Sequence, residues 1–480
     1  MEGSRKDDLR KQLKEREVEN RELRERLAEA DAELDRLREE NAQLRKELRA
    51  AGLKPKGKAK ERKRKGKPKV RKPRQGCGYR SGPAESAANG PTVEVPVTMT
   101  TCPCCGGPLK YERTDEATVT DMPEQPRPEV KSYAVEVHRC ERCGQPFRGQ
   151  HPDVEPDQYG ATAHRVGRRV KAAAHAMHYG MGVPVRKLPW MLRELTGIDI
   201  SQSALTQDAL KKASGSRVVG NAYQELRAAV PTAPVVYTDD TGWPIHGKPA
   251  YLMGFDTDQV TVFQIRNQHR NEEVRELIPS DYAGVMVTDR GPSYEAEELL
   301  GVKQQKCLDH LNRNIDEVLE TKTGAARGFG LKLKSKLKEA RQLWRDQRAG
   351  KAEDFAARAQ QIDQELTDHL RIRRLTDKDN QRLLDGIGLQ HDRGNLVRFL
   401  KDPNIEPTNN RGERTMRPPA ISRRLSYGSK NERGAEAFAA FSSVIQTAVK
   451  KRVSSTIDAL HDLFRSKPRD GPLDPNRSPI

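Results

Sequence analysis

Leucine recurs through the first fifty residues at alternating steps of four and three, a spacing that restricts this stretch to one kind of structure. One heptad column holds Leu13, Asn20, Leu27, Leu34, Asn41 and Leu48; the other holds Leu9, Arg16, Leu23, Ala30, Leu37 and Leu44. Columns of this kind are the a and d positions of a coiled coil, and asparagine at two a positions is how a parallel two-stranded coil fixes register and strand number. A single solvated helix would leave the leucine stripe in water. Residues 5–50 are therefore expected to form a leucine-zipper coiled coil, weakened at Arg16 and Ala30, that pairs two copies of the chain through residues 9–48.

A run of positive charge follows. From Lys54 to Arg74 there are 13 Lys or Arg and one acid, Glu61, so this stretch carries +12 of the net +18 and leaves +6 for the other 459 residues. Interspersed Gly and Pro keep a helix from persisting, so residues 51–76 are expected to be a disordered basic linker. Such an arm, with Lys63, Arg64 and Lys65 at its centre, gives salt-sensitive and sequence-independent affinity for DNA. Hydrophobic residues make up 34% of the chain, and the 36 Gly bring the apolar share to about 41%, below that of an average globular protein. No window approaches the ~18 apolar residues of a membrane span, and the start lacks the apolar stretch of a signal peptide. The expectation is a soluble, cytoplasmic, nucleoid-associated protein with no membrane contact.

Four of the seven cysteines form the C-x-x-C pairs of two knuckles, Cys102-Pro-Cys-Cys105-Gly and Cys140-Glu-Arg-Cys143-Gly, separated by 34 residues. Each knuckle can aim two thiolates at one ion while its glycine permits the tight turn, and four thiolates satisfy tetrahedral Zn²⁺. Cys102, Cys105, Cys140 and Cys143 are the expected ligands of a zinc ribbon over residues 77–156, with Cys104 and His138 as alternatives for one position. Short β-like runs at Val93–Val97 and Tyr133–His138 suit that ribbon.

Residues 157–230 switch to helical periodicity. Val185–Leu195 and Ser201–Leu210 read as two helices joined by a Gly-containing turn, the second capped by Ser201, a pattern open to a helix-turn-helix or a plain helical hairpin. From Pro234 the pattern becomes α/β. Val235–Thr238 is a strand ending at Asp239-Asp240, and Ala250–Phe255 with Val260–Ile265 makes a hairpin about Asp256–Gln259. A helix over Asn271–Leu277, a strand over Gly284–Thr288 ending at Asp289, another helix, a strand near Val302–Cys307 and a helix from Leu308 follow. Residues from about 321 to 405 are polar and helical, an insertion ahead of a helix near Asn410–Arg417. The domain then closes at about 450, and residues 451–480 are expected to be a tail.

Three acids stand at the ends of these elements: Asp239, Asp289 and Glu413. Strand ends of one sheet can gather carboxylates from distant positions, and three would hold divalent cations for attack on a phosphodiester. Each has a structural alternative. Asp289 could cap the turn Arg290–Pro292; Asn410-Arg-Gly-Glu413 has capping-box spacing; and Asp239 and Asp240 point oppositely, so only one can face a site. Arg411, Arg414 and Arg417 recur every three residues beside Glu413, and with Arg423, Arg424, Lys430 and Arg433 they offer either a phosphate-binding face or a solvated one.

These residues resemble a known family. Thr238-Asp-Asp-Thr-Gly-Trp243, Ala283-Gly-Val-Met-Val-Thr-Asp289, Cys307-Leu-Asp-His-Leu311, and Pro407-Thr-Asn-Asn-Arg-Gly-Glu-Arg-Thr-Met-Arg-Pro418 followed by Ser426-Tyr-Gly-Ser429 are similar to stretches of the bacterial transposases of the insertion-sequence-66 family. The resemblance runs over nearly the whole chain. It implies a multidomain α+β protein: coiled coil, zinc ribbon, helical DNA-binding segment, and a ribonuclease-H-like α/β catalytic core over 231–450 with a helical insertion. It further implies that Asp239, Asp289 and Glu413 are a DDE triad holding Mg²⁺ or Mn²⁺ and that transposon ends and target DNA are the partners, with accessory proteins of the same element as candidate partners. The expected activity is phosphodiester cleavage and strand transfer; a catalytically silent DNA-binding regulator and a hydrolytic nuclease on the same core are the alternatives. Cys307 and His310 match the family's Cys-x-x-His, and with only two such groups the residues themselves favour core packing over a metal site.

Overall fold

A computed structural model describes residues 36, 40, 43, 47, 106–108, 128–155, 158 and 166–465. The basic linker with Lys63, Arg64 and Lys65, the first knuckle's Cys102, Cys104 and Cys105, and the heptad columns lie outside the described residues. Arg36, Glu40, Gln43 and Glu47, four positions off the leucine columns, are helical and exposed.

The chain first forms a small antiparallel hairpin of β1 (Val137–Arg139) and β2 (Pro146–Arg148). Helices α1 (Arg168–His175), α2 (Leu188–Thr196), α3 (Gln202–Ala213) and α4 (Val218–Ala229) follow. Helix α2 ends on Gly197 at φ 68°, which satisfies the last carbonyls at no cost in Cβ strain. Ser201 caps α3 as its position predicts, accepting from the Ala204 N–H at 3.2 Å.

The central sheet contains β3 (Val235–Gly242), β4 (Tyr251–Asp256) and β5 (Thr261–Arg266), then, after α5 (Asn271–Arg275), β6 (Val285–Thr288) and β7 (Lys303–Lys306). Its spatial order is β5-β4-β3-β6-β7, the first three strands antiparallel and β6 and β7 parallel to β3. Between β6 and β7 stand two short 3₁₀ turns, Pro292–Tyr294 and Glu297–Leu299, in place of the expected helix. The interval is short, and Tyr294 and Leu299 are both buried, which draws each turn against the sheet.

The rest is helical: α6 (Leu308–Leu319), α7 (Gly324–Arg348), α8 (Phe355–Leu370), α9 (Lys378–Asp392), α10 (Asn410–Thr415), α11 (Arg417–Ser426), α12 (Glu432–Lys450) and α13 (Thr456–Phe464). Residues 456–464 of the expected tail are thus a helix, whose Leu460 and Phe464 are buried with Ala172 of α1 and Phe441 of α12.

Alternation along the strands assigns the two faces of the sheet. Tyr237 and Val287 share one core with Leu308, Leu311, Leu333, Leu366 and Ile387, so the helical insertion packs directly on the sheet. Their neighbours Val236 and Met286 face the opposite core with Phe255, Val274 and Leu277. The outer edge of β5 is closed by side chains. The Phe263 N–H donates to Ser443 Oγ at 2.8 Å, the Thr261 N–H to Thr447 Oγ1 at 3.0 Å, and the Tyr223 hydroxyl donates to the Phe263 carbonyl at 2.7 Å. A sheet edge that would otherwise invite pairing with another strand is thereby occupied.

Candidate active site

Strand β3 is longer than its sequence predicts. It runs through Asp239 and Asp240 to Gly242 because β4 pairs with it over that whole length, whereas β6 pairs only with Val235–Tyr237. Asp239 therefore lies just beyond the end of the parallel ladder, and Asp289 lies just beyond the end of β6. The third acid, Glu413, comes from α10, which packs against β3 and β4.

Backbone and side-chain bonds tie the three segments together. Thr238, immediately before Asp239, accepts at its carbonyl from the Asn409 side-chain amide at 2.7 Å. The Asn409 N–H donates to Cys307 Sγ at 3.2 Å. The Cys307 N–H in turn donates to the carbonyl of Thr288, immediately before Asp289, at 2.9 Å. Asn409 and Cys307 are almost completely buried. Sequence reasoning assigned neither of them this bracing role; an asparagine four residues before Glu413 carries no signal until its partner strand is known.

Electrostatics single out Asp239. Burial, then the charges of Asp240, Asp289 and Glu413, push its carboxyl up to about 7, against the one bond it accepts from the Asp240 N–H. Asp240 is raised as well, by burial and Asp289, but His269 stands 3.5 Å away and opposes the shift. Asp289 thus acts on both neighbours, while Glu413 is among the charges felt by Asp239 and His269 is the one that opposes the shift of Asp240. Lys306, fully buried at the end of β7, lies 2.6 Å from Glu295 and donates to the Asp289 carbonyl at 3.3 Å.

The structural alternatives for the acids come out differently from one another. Asp289 does stabilise its turn, accepting from the Gly291 N–H at 3.0 Å with one oxygen. Glu413 makes no capping box; Asn409 is the residue at the cap of α10, and its amide is turned to β3. The Glu413 carboxylate instead stands 3.8 Å from Arg313 and 4.0 Å from His310. Among the described residues, the trio of metal-capable groups whose ligand atoms all lie within 4.8 Å of one another is Cys307, His310 and Glu413.

The expected row of arginines is divided. Arg411 is held by Asp256 and Asp258, each at 2.6 Å, and lies over the Tyr237 ring at 4.8 Å, so its charge is committed to the fold. The helix breaks at Met416, which leaves Arg414 and Arg417 on separate helices, both exposed. Arg423 is bonded to Thr241 at the end of β3 at 2.6 Å, and Arg424 is exposed. In the β1–β2 hairpin, Cys140 and Cys143 sit in the connecting turn with Gly144 at φ 70°, and Gly106 after the first knuckle has φ 72°. The Cys143 N–H and thiol draw the Cys140 thiol down toward its thiolate form.

The described sheet and the three acids fall inside one region of sequence similarity. The family model for the IS66 family of transposases matches residues 164–437, more than half of the chain. The chain belongs to this family. Among curated proteins none matches. The IS66 match spans α1 through the start of α12, so it takes in β3, β6 and α10 and every residue of the brace between them. No helix among the described residues is long and apolar enough to cross a membrane.

Proposed function

We propose that this transposase binds transposon-end DNA and cuts and joins it at a DDE site of Asp239, Asp289 and Glu413. The observation that carries the reading is the convergence on Asp239: after burial and the charge of adjacent Asp240, residues 50 and 174 positions away in sequence add the negative charge that raises its carboxyl. The sheet order, three antiparallel strands and then two parallel ones, is the order expected of a ribonuclease-H-like core and supports the same conclusion. Oxygen donors that repel one another suit a hard divalent cation, Mg²⁺ or Mn²⁺. When bound, that ion supplies nucleophile activation and leaving-group stabilisation, with no covalent protein–DNA intermediate.

The chain's own groups then have distinct tasks. Asp239, Asp289 and Glu413 would hold the cation; the Gly291 N–H fixes one oxygen of Asp289, and Arg313 orients Glu413. Arg414, Arg417, Arg423 and Arg424 face phosphates along the strand to be cut, while Arg411 holds α10 to the β4–β5 turn. The Cys102, Cys105, Cys140 and Cys143 thiolates would hold a structural Zn²⁺. The zipper over 9–48 presents the linker's Lys63, Arg64 and Lys65 in duplicate.

The test is a strand-transfer assay with labelled end DNA, target plasmid and Mg²⁺. Joined product is the expected result. Nicked ends without joining would indicate a nuclease, and binding without cleavage a silent regulator.

A further inference from the structure

Cys307 stands at the N-cap of helix α6, and His310 follows it by three residues, in the helix's first turn. Helix α10 brings Glu413 to that turn from the other side. Cys307 Sγ, a ring nitrogen of His310 and a carboxylate oxygen of Glu413 all lie within 4.8 Å of one another. His310 Nδ1 is buried without a hydrogen-bond partner, 4.0 Å from Glu413 Oε1. Cys307 Sγ already accepts from the Asn409 N–H, the outer support that metal-bound thiolates use.

We propose that Cys307, His310 and Glu413 form a transition-metal site that takes Zn²⁺ or Co²⁺. A thiolate, an imidazole and a carboxylate make a donor set for borderline-soft ions and a poor one for Mg²⁺, which prefers oxygen and water. Three protein ligands leave a fourth position for water. This site rests on the reading of Glu413 given above in one respect. Because Glu413 would serve both sets, an ion held by Cys307 and His310 takes that carboxylate from the group with Asp239 and Asp289. The two sites thus compete for one side chain, and thiophilic metals draw α10's acid toward α6.

The probe is Co²⁺ titrated into the full-length, metal-free chain without DNA or Mg²⁺, followed by thiolate-to-cobalt charge-transfer absorbance and by metal analysis after gel filtration. The knuckle cysteines contribute a background that is the same in every variant. Cys307→Ser and His310→Ala are each expected to lose one Co²⁺ per chain and the absorbance of one thiolate. His310 is partly exposed, so His310→Ala keeps the test decisive if Cys307→Ser does not fold; circular dichroism checks both. Unchanged stoichiometry and absorbance in the folded variants would overturn the proposal. That outcome would leave the carboxylate triad standing, and a failure of end cleavage would leave the cobalt result standing.

Discussion

Asn409 donates its side-chain amide to the carbonyl of Thr238 at 2.7 Å across 171 residues of sequence. The same residue uses its backbone N–H on Cys307, whose own N–H reaches Thr288. One buried asparagine thus joins the strand before Asp239, the strand before Asp289 and the helix that carries Glu413.

Replacing Asn409 with Ala is expected to leave the Thr238 carbonyl buried and unpaired. The cost is about 1–3 kcal/mol in urea unfolding. End cleavage measured under conditions where the variant stays folded should fall further than that loss explains, because Glu413 no longer has a fixed seat. A variant with wild-type cleavage would show that the tie does not position the site.

Lys306 is a buried charge that donates to the Asp289 carbonyl. In Lys306→Met, Glu295 keeps Arg393 and Gln390 but loses its closest cation. Destabilisation of about 3 kcal/mol is expected, at the low end for a broken buried pair, and adding Glu295→Gln should recover part of it. Thermal melts of the single and double variants decide the matter.

Ser443 and Thr447 cover the β5 edge with hydroxyls one turn apart on α12. Ser443→Ala and Thr447→Val each leave a strand N–H without a partner and should cost about 1–3 kcal/mol. An exposed edge also invites pairing between chains, so light scattering on heating should rise in the double variant.

The Asp239 carboxyl moves from its ordinary 3.8 to about 7 in the folded chain. A raised carboxyl pKa contributes stability that is complete below about 4 and is lost as pH rises through about 7. Without added divalent cation, Asp239→Asn should therefore be more stable than the parent at pH 8, by about 2–4 kcal/mol, with the difference vanishing near pH 4. Mg²⁺ binding must displace the Asp239 proton, so its affinity should weaken about tenfold for each pH unit below 7. Melts at several pH values and Mg²⁺ titrations by calorimetry test the two consequences separately.

Much of this was readable in the residues. The hairpin about Asp256–Gln259, the strand ending at Asp289 and the helices of the insertion follow from periodicity and turn chemistry, both local in sequence. What was not readable depends on distant partners. Strand β3 continues through Asp239 because β4 pairs with it; Arg411 is held by acids some 150 residues away; Asn409 carries no signal until Thr238 is beside it. The helix expected between β6 and β7 gave way to tight turns because Tyr294 and Leu299 are drawn into the core. Cys307 and His310, only two such groups in sequence, read as core residues, and it is α10 that brings Glu413 within 4.8 Å of them.

The central claim is that Asp239, Asp289 and Glu413 act as one site while Asp240 stands outside it. The most direct measurement is Mg²⁺-dependent cleavage of labelled end DNA by Asp239→Asn, Asp240→Asn, Asp289→Asn and Glu413→Gln proteins, each confirmed to be folded. The account predicts losses of about 10³-fold or more for Asp239→Asn, Asp289→Asn and Glu413→Gln, with Asp240→Asn within about tenfold of the parent. Parent-like cleavage by Asp289→Asn or Glu413→Gln, or a collapse confined to Asp240→Asn, would contradict it.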